Sequence, residues 1–438
     1  MNPHKERDIY MSYVDMSTSE LETLKAALET EYASHCAKGL SLNMARGKPG
    51  CDQLALSLPM LDELTSSSGL IAEDGTDCRN YGVMDGIAEA KRLMGEVMEH
   101  DPANVCVFGN SSLNIMFDLV TAGYTHGYLG STPWCKLPEV KWLCPVPGYD
   151  RHFGITESYG IEMIPISMNE NGPDMDEIER LVAEDDSIKG IWCVPQYANP
   201  TGITYSNETV HRLAEMSCAA SDFRIFWDNA YCVHHLYDDE REHVADIAAA
   251  CEAAGNPNRY FKFASTSKVT LPGAGIAAVA ASAENIAEIK ARVGVQTVGY
   301  DKMNQLRHVR FLPTIEAVKE HMKKHAEFLR PRFEAVERKL TEGLGDTDCA
   351  TWTHPRGGYF VSFDGPEGSA QKVAALCADL GVKLTPAGAT WPYGKDPRDT
   401  NIRIAPSYPT VEDLEAALDV LVLAVKLVAA ELARAERA

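Results

Sequence analysis

Between about residues 78 and 300, two hydrophobic periods alternate along the chain. Short apolar runs rich in β-branched and aromatic residues fall at 105–108, 140–144, 188–194, 223–227, 260–263 and 276–281. Their length and near-continuous hydrophobicity predict strands covered on both faces. Between them lie helical periods, as where Leu113, Met116, Phe117 and Val120 recur at i, i+3, i+4 and i+7. Strand and helix repeated in this order predict an α/β unit with a mostly parallel sheet. The pattern differs on either side. Ser19 and Glu22 have the form of a capping box, and with Leu21, Leu24 and Leu28 they predict an N-terminal helix. Past residue 312 come a long charged helix (314–340), a strand-like GGYFVSF (357–363), a helix (371–380), the strand NIRIA (401–405) and a C-terminal amphipathic helix. These predict an α+β unit. The expected division is 1–75 as an arm and part of a small domain, 76–312 as the large domain, and 313–438 as the rest of the small domain.

Length supports two domains, because 438 residues exceed the roughly 250–300 at which single cores stop growing. A net charge of -22 argues against nucleic acid or an anionic membrane as partner, while leaving any local pocket free to oppose that sign. The twelve cysteines include no C-x-x-C pair. Cys106, Cys144, Cys193 and Cys218 lie in apolar segments, as expected of reduced core residues in a cytoplasmic protein. Residues 1–15 lack the apolar core of a signal peptide. The apolar run 414–432 is broken by Asp419, Lys426 and Glu431 and reads as a core-facing helix, not a membrane span.

Parallel sheets place ligands at the carboxyl ends of their strands, and four such ends carry suggestive residues. Lys268 follows the run 260–263 within FKFASTSKVTLPGAGIAAVA (261–280). Burial there would disfavour its ammonium and lower its pKa, a cost that makes sense for a nucleophile forming a Schiff base. Gly109-Asn110-Ser111-Ser112 joins a strand to a helix and forms either an anion site or an ordinary serine cap. Asn199 is held extended by Pro200 in PQYANPTG. Asp228 ends FRIFWD, with Tyr231 three residues on; it needs a cationic or N–H partner unless it caps a helix. The turn ARGKPG contains Gly47, which lets a ligand approach the backbone closely. Three look-alikes fail their context. GAGIAA (273–278) fits a dinucleotide fingerprint but precedes a strand. Ser265-Thr266-Ser267-Lys268 fits S-x-x-K without the S-D-N and K-T-G that acyl enzymes need downstream. His234, His235, Asp238, Asp239 and His243 read as a solvated acidic loop and not as a metal site.

Taken in order, Tyr81, Ser111/Ser112, Asn199, Asp228/Tyr231, Ser265/Lys268 and Arg403 resemble the class I aminotransferases, pyridoxal 5′-phosphate enzymes of fold type I. The likeness covers nearly the whole chain. CPVPGYDRHF, YANPTG, ASTSKVTLPGAG and GYDKMNQLRHVRFLP are most similar to the divergent bacterial aspartate aminotransferase subgroup. The resemblance implies a seven-stranded-type, mostly parallel large domain and an α+β small domain. It also implies roles. Lys268 would hold the cofactor as a Schiff base and then act as general base and acid. Asp228 would keep the pyridine nitrogen protonated, and Asn199 and Tyr231 would bond the phenolic oxygen. Asn110, Ser111, Ser112 and Ser265 would hold the phosphate, with Tyr81 reaching in from a second subunit of a homodimer. Arg403 would fork onto the substrate α-carboxylate, beside Gly47.

Two departures stand out. Many relatives carry an arginine eight residues after the lysine to neutralise the phosphate; here that residue is Ile276, with Lys262 as a weak substitute. Relatives also stack an aromatic on the ring where this chain has Val146, and Tyr149 is the nearby alternative. A dicarboxylic substrate needs a second cation, for which Lys302, Arg307 and Arg310 are candidates. The expected activity is ping-pong transfer of the amino group of L-aspartate (or glutamate) to a 2-oxo acid such as 2-oxoglutarate. A lyase or decarboxylase on the same fold is the alternative. A non-catalytic sensor module is disfavoured, since the stretch ahead of Leu42 holds one helix and no helix-turn-helix pattern.

Overall fold

The computed structural model describes residues 12–437 apart from 14 and 436. Its strands are β1 (Leu42–Asn43), β2 (Val105–Val107), β3 (Lys141–Val146), β4 (Glu162–Asn169), β5 (Gly172–Pro173), β6 (Ile188–Cys193), β7 (Arg224–Asp228), β8 (Tyr260–Ser265), β9 (Ala277–Ala280), β10 (Thr351–Trp352), β11 (Val361–Asp364), β12 (Val382–Lys383) and β13 (Asn401–Ile404). Eight of them form one sheet in the order β2-β9-β8-β7-β6-β3-β4-β5. The neighbours β4, β3, β6, β7 and β8 run parallel, and β9 is antiparallel to both β8 and β2. This is the predicted seven-stranded arrangement with the two-residue β5 added at one edge.

Burial follows from the alternation of side chains along each strand. Phe226, Phe261 and Phe263 join Trp142 and Trp192 on one face, while Ile225 and Trp227 join Tyr205 and Leu213 on the other. The unexpected strand is β4. Its half-buried alternation and internal Pro165 make a weak sequence signal, and the fold tolerates that proline near the sheet edge, where β4 pairs with β3 along its length and with β5 only at Met168 and Asn169.

The first helix, Thr18–Cys36, is capped two residues earlier than the spacing predicts: Ser17 Oγ accepts from Glu20 N–H, and Glu20 Oε2 accepts from Ser17 N–H at 2.8 Å. Both Ser17 and Ser19 begin an S-x-x-E tetrapeptide, and the first nucleates the turn. The helix Ser112–His126 buries Ile115, Met116, Leu119 and Val120, so the predicted stripe is rotated; Phe117 lies outside it, exposed against Tyr159. The long helix Ile315–Leu344 starts from an N-cap at Thr314. It packs with Val411–Ala435 against the antiparallel sheet β10-β11-β13 in a second core. The chain's early segment joins that core, since β1 pairs in parallel with β12 and Leu21 and Leu28 pack into it. All twelve cysteines are free; Cys106, Cys144 and Cys193 are buried and Cys218 is half-buried. Among the described residues, no helix is long and apolar enough to cross a membrane.

Candidate active site

The carboxyl ends of β6, β7 and β8 converge. Asp228 is the last residue of β7 and is 5 % exposed. Its Oδ2 lies 3.0 Å from Nε2 of His152, a buried imidazole stacked on Trp192 at 4.6 Å between ring centroids. Its Oδ1 is buried without a partner. A buried carboxylate oxygen left free this way is costly, and it suits a ligand N–H donor. Lys268, just beyond β8, places its Nζ 4.8 Å from the centre of the Tyr231 ring and 5.9 Å from that of Tyr359. Burial lowers its pKa; the charge of Asp228 opposes that fall and Arg403 adds to it. Burial drives the Tyr231 hydroxyl far up, aided by Tyr149 and Asp228.

Imidazoles hold the lysine loop from behind. His234 Nε2 is 3.3 Å from the Lys268 carbonyl oxygen, His321 Nε2 is 2.9 Å from that of Val269, and His308 Nε2 is 3.0 Å from Thr270 Oγ1. Burial depresses the pKa of all three, to about 4 for His308. His234 is therefore a buried support for Lys268 and not part of a solvated loop.

Arg403 reaches the same space from β13. It is 7 % exposed, its guanidinium lies 4.8 Å from the centre of the Phe360 ring, and its Nη1 donates to Asp150 Oδ1 at 3.0 Å and Asn199 Oδ1 at 3.3 Å. Its Nε is buried without a partner. Gly47 packs against the same ring: a Cβ there would meet Phe360 Cζ at 2.2 Å. Space, and not backbone conformation, requires the glycine.

Two of the residues expected to bind an anion, Asn110 and Ser265, are linked through Ser267. Asn110 Nδ2 donates to the Pro272 carbonyl at 3.1 Å, Ser267 Oγ donates to the Asn110 carbonyl at 3.0 Å, and Ser265 Oγ donates to Ser267 Oγ at 3.1 Å. Ser111 caps the helix Ser112–His126 without a side-chain cap bond, which leaves its hydroxyl and the first N–H groups of the helix available to an anion. Ser267 was not among the sequence candidates, although it lies inside the S-x-x-K stretch.

Other candidates fall elsewhere. Lys262 is buried in an ion pair with Asp246 at 2.8 Å, so it is committed and is no substitute phosphate cation. Lys302 Nζ donates to the Gly82 carbonyl at 2.8 Å, Arg307 to Asn304 Oδ1 and Arg310 to the Gly69 carbonyl. None of the three bonds to a residue of the Lys268 group. Val146 is buried in the large core. Tyr149, by contrast, borders the site: its ring meets His152 edge-on at 4.9 Å, and burial, with help from Asp228 and Asp150, pushes its hydroxyl up to about 12. Tyr81 is 81 % exposed, beside the Gly82 N–H bond to Val298, outside the cluster formed within one chain.

A family model for aspartate amino-transferase matches residues 16–437. The chain is 46 % identical over 423 residues to a protein of Mycolicibacterium smegmatis described as a candidate aminotransferase, covering 96 % of this chain and 99 % of that protein. It is 44 % identical over 422 residues to an aspartate aminotransferase of Corynebacterium glutamicum, covering 96 % and 97 %. A crystal structure of an aspartate transaminase from Corynebacterium glutamicum superposes with a TM-score of 0.94 at 43 % identity, covering 97 % of this chain and all of that one.

Proposed function

This chain belongs to the aspartate amino-transferase family, as an aminotransferase of the divergent bacterial class I subgroup, and from that premise we propose that it binds pyridoxal 5′-phosphate at Lys268 and transfers the amino group of L-aspartate or glutamate to a 2-oxo acid. One observation carries the cofactor reading: the free, buried Oδ1 of Asp228 shares a site with a lysine whose ammonium is disfavoured by burial. When bound, the cofactor supplies an electron sink for the bonds at the substrate α-carbon.

The chain's residues divide the remaining work. Asp228, held by His152, keeps a proton on the ring nitrogen. Asn199 and Tyr231 would donate to the phenolic oxygen, and Tyr149 would supply the aromatic that position 146 lacks. Asn110, Ser111, Ser112, Ser265 and Ser267 bind the phosphate through hydroxyls and backbone N–H groups, with Tyr81 of a second copy completing the set in a homodimer. Lys268 Nζ removes the proton from the substrate α-carbon, a role helped by its lowered pKa. Arg403, beside Gly47, grips the α-carboxylate. The large domain (76–312) carries the cofactor-binding set and the small domain (1–75 with 313–438) brings Arg403 to it. A cytoplasmic location accords with the twelve free cysteines.

Titration of the purified holoenzyme with L-aspartate, without acceptor, tests this reading. The visible band of the bound cofactor is expected to convert stoichiometrically and to return on adding 2-oxoglutarate, as a ping-pong reaction requires. Release of ammonia would mark a lyase instead. Lys268→Ala is expected to lose both band and activity; a variant that retains both would refute the assignment. Sedimentation of a cofactor-saturated, active monomer would overturn the shared site.

A further inference from the structure

Arg403 already has a carboxylate of its own. Its Nη1 donates to Asp150 Oδ1 at 3.0 Å, although the two residues come from separate elements, the start of the helix Asp150–Ser158 and β13. We propose that Asp150 is a built-in competitor for the substrate α-carboxylate, and thereby a residue that sets how tightly the site holds carboxylate ligands. The proposal rests on the reading of Arg403 as the α-carboxylate subsite.

The two partners are unequal. The Arg403 side chain is 7 % exposed and that of Asp150 is 33 % exposed, so the aspartate has a path to water that the arginine lacks. The guanidinium is also fixed without Asp150, by the face of Phe360 at 4.8 Å and by Asn199 Oδ1 at 3.3 Å. Orientation therefore does not require the acid. Its effect is on charge. A carboxylate ligand arriving at Arg403 meets a cation already balanced by Asp150, and it must either displace that side chain or lie beside a like charge. Both weaken binding. The helix N-terminus beneath Asp150 favours a carboxylate there whether it is paired or turned outward, so the displaced state is accessible. Weaker binding of substrate and product carboxylates alike raises KM and speeds product departure without touching the reacting atoms.

Calorimetric titration of the holoenzyme with succinate, a dicarboxylate with no amino group to react, reads this directly. Asp150→Asn is expected to bind succinate about tenfold more tightly than wild type, the scale of a like charge removed a few ångströms away in a partly wet site. Asp150→Ser should do the same, which guards against an effect peculiar to the amide. Arg403→Lys should bind about tenfold or more weakly, and in Arg403→Lys the Asp150→Asn gain should shrink. Unchanged or weaker binding in both Asp150 variants, while Arg403→Lys still loses affinity, would overturn the competitor role alone. Undiminished binding in Arg403→Lys would instead overturn the carboxylate subsite.

Discussion

Gly47→Ala offers the sharpest test of the Arg403 subsite, because one methyl group would act on it through a single ring. The added Cβ would lie 2.2 Å from Cζ, 2.5 Å from Cε1 and 3.1 Å from Cε2 of Phe360. Ordinary carbon contacts need about 3.5–4.0 Å, so the ring or the 46–48 backbone must give by about 1 Å. The ring is buried and cannot swing into water. The guanidinium of Arg403 packs over the same ring, so movement of the ring is passed to the group proposed to grip the substrate. A displacement of about 1 Å at a positioning residue can cost on the order of 100-fold in rate, and the overpacking itself costs about 1–3 kcal/mol of stability. The expected result is a 10- to 100-fold fall in kcat/KM for L-aspartate, carried mostly by KM, with a modestly lowered melting temperature. Steady-state kinetics over a range of aspartate concentrations, run beside thermal melting, would measure both. Adding Phe360→Leu should relieve the clash and restore the melting temperature without restoring KM, because the platform under Arg403 is then gone. A Gly47→Ala enzyme with wild-type KM would refute the coupling of Gly47 to Arg403 through Phe360.

Two further outcomes follow from buried groups. His152→Phe keeps the stacking on Trp192 but removes the 3.0 Å contact to Asp228; losing a hydrogen bond to a charged group, worth about 1.5–3 kcal/mol, should lower kcat by 10- to 100-fold in single-turnover measurements while the cofactor stays bound. An unchanged kcat would remove His152 from the mechanism. His308 and His325 are held neutral by burial, each with a pKa depressed to about 4. In the unfolded chain an imidazole protonates near 6.5, so below that pH the unfolded state binds more protons. Stability present above pH 6.5 is therefore lost as the pH falls towards 4, by up to about 3 kcal/mol for each histidine. Urea midpoints at pH 7 and 4.5 should differ accordingly, and less so in His308→Asn; a flat profile would contradict the burial of these rings.

What the sequence made legible was the set of groups fixed by local chemistry. Strands buried on both faces announce themselves as continuous apolar runs, and the residues at or beyond the ends of β6, β7 and β8 then fall at one edge of the sheet without further information. Asn199, Asp228 and Lys268 were singled out in this way. The edge strand β4 was not, because partial exposure and Pro165 weaken the signal that the interior strands give. Nor could periodicity reveal the contacts that join separate elements: His152 meets Asp228, Asp150 meets Arg403, and Gly47 meets Phe360 only once the fold has closed. Asp150 and His152 both lie in CPVPGYDRHF, so the stretch was visible while the partners were not. His234 was misplaced for a related reason. Its acidic neighbours suggest solvent, yet the turn after Tyr231 carries it under the lysine.

Position 276 shows how a local loss of charge is accommodated by the surrounding structure. Ile276 packs into an apolar cluster with Val269, Leu306 and Val309, while its backbone locks the lysine loop: Thr266 N–H donates to its carbonyl at 2.8 Å, and its own N–H donates to Thr266 Oγ1 at 3.0 Å. A guanidinium in that cluster would be buried among aliphatic groups without a counter-ion, at a cost of several kcal/mol. The side chain that suits this environment is therefore apolar, and it leaves the loop's position to hydrogen bonds from the 302–311 helix, where His308 meets Thr266 and Thr270 and Asn304 donates to the Gly275 carbonyl. The anion group proposed in front of the loop is correspondingly built from hydroxyls and a helix N-terminus, whose partial positive charge falls off within one turn. Such a site gains selectivity from the number and direction of its donors more than from net charge. Ser267, linking Ser265 to Asn110, is the residue that joins those donors into one surface.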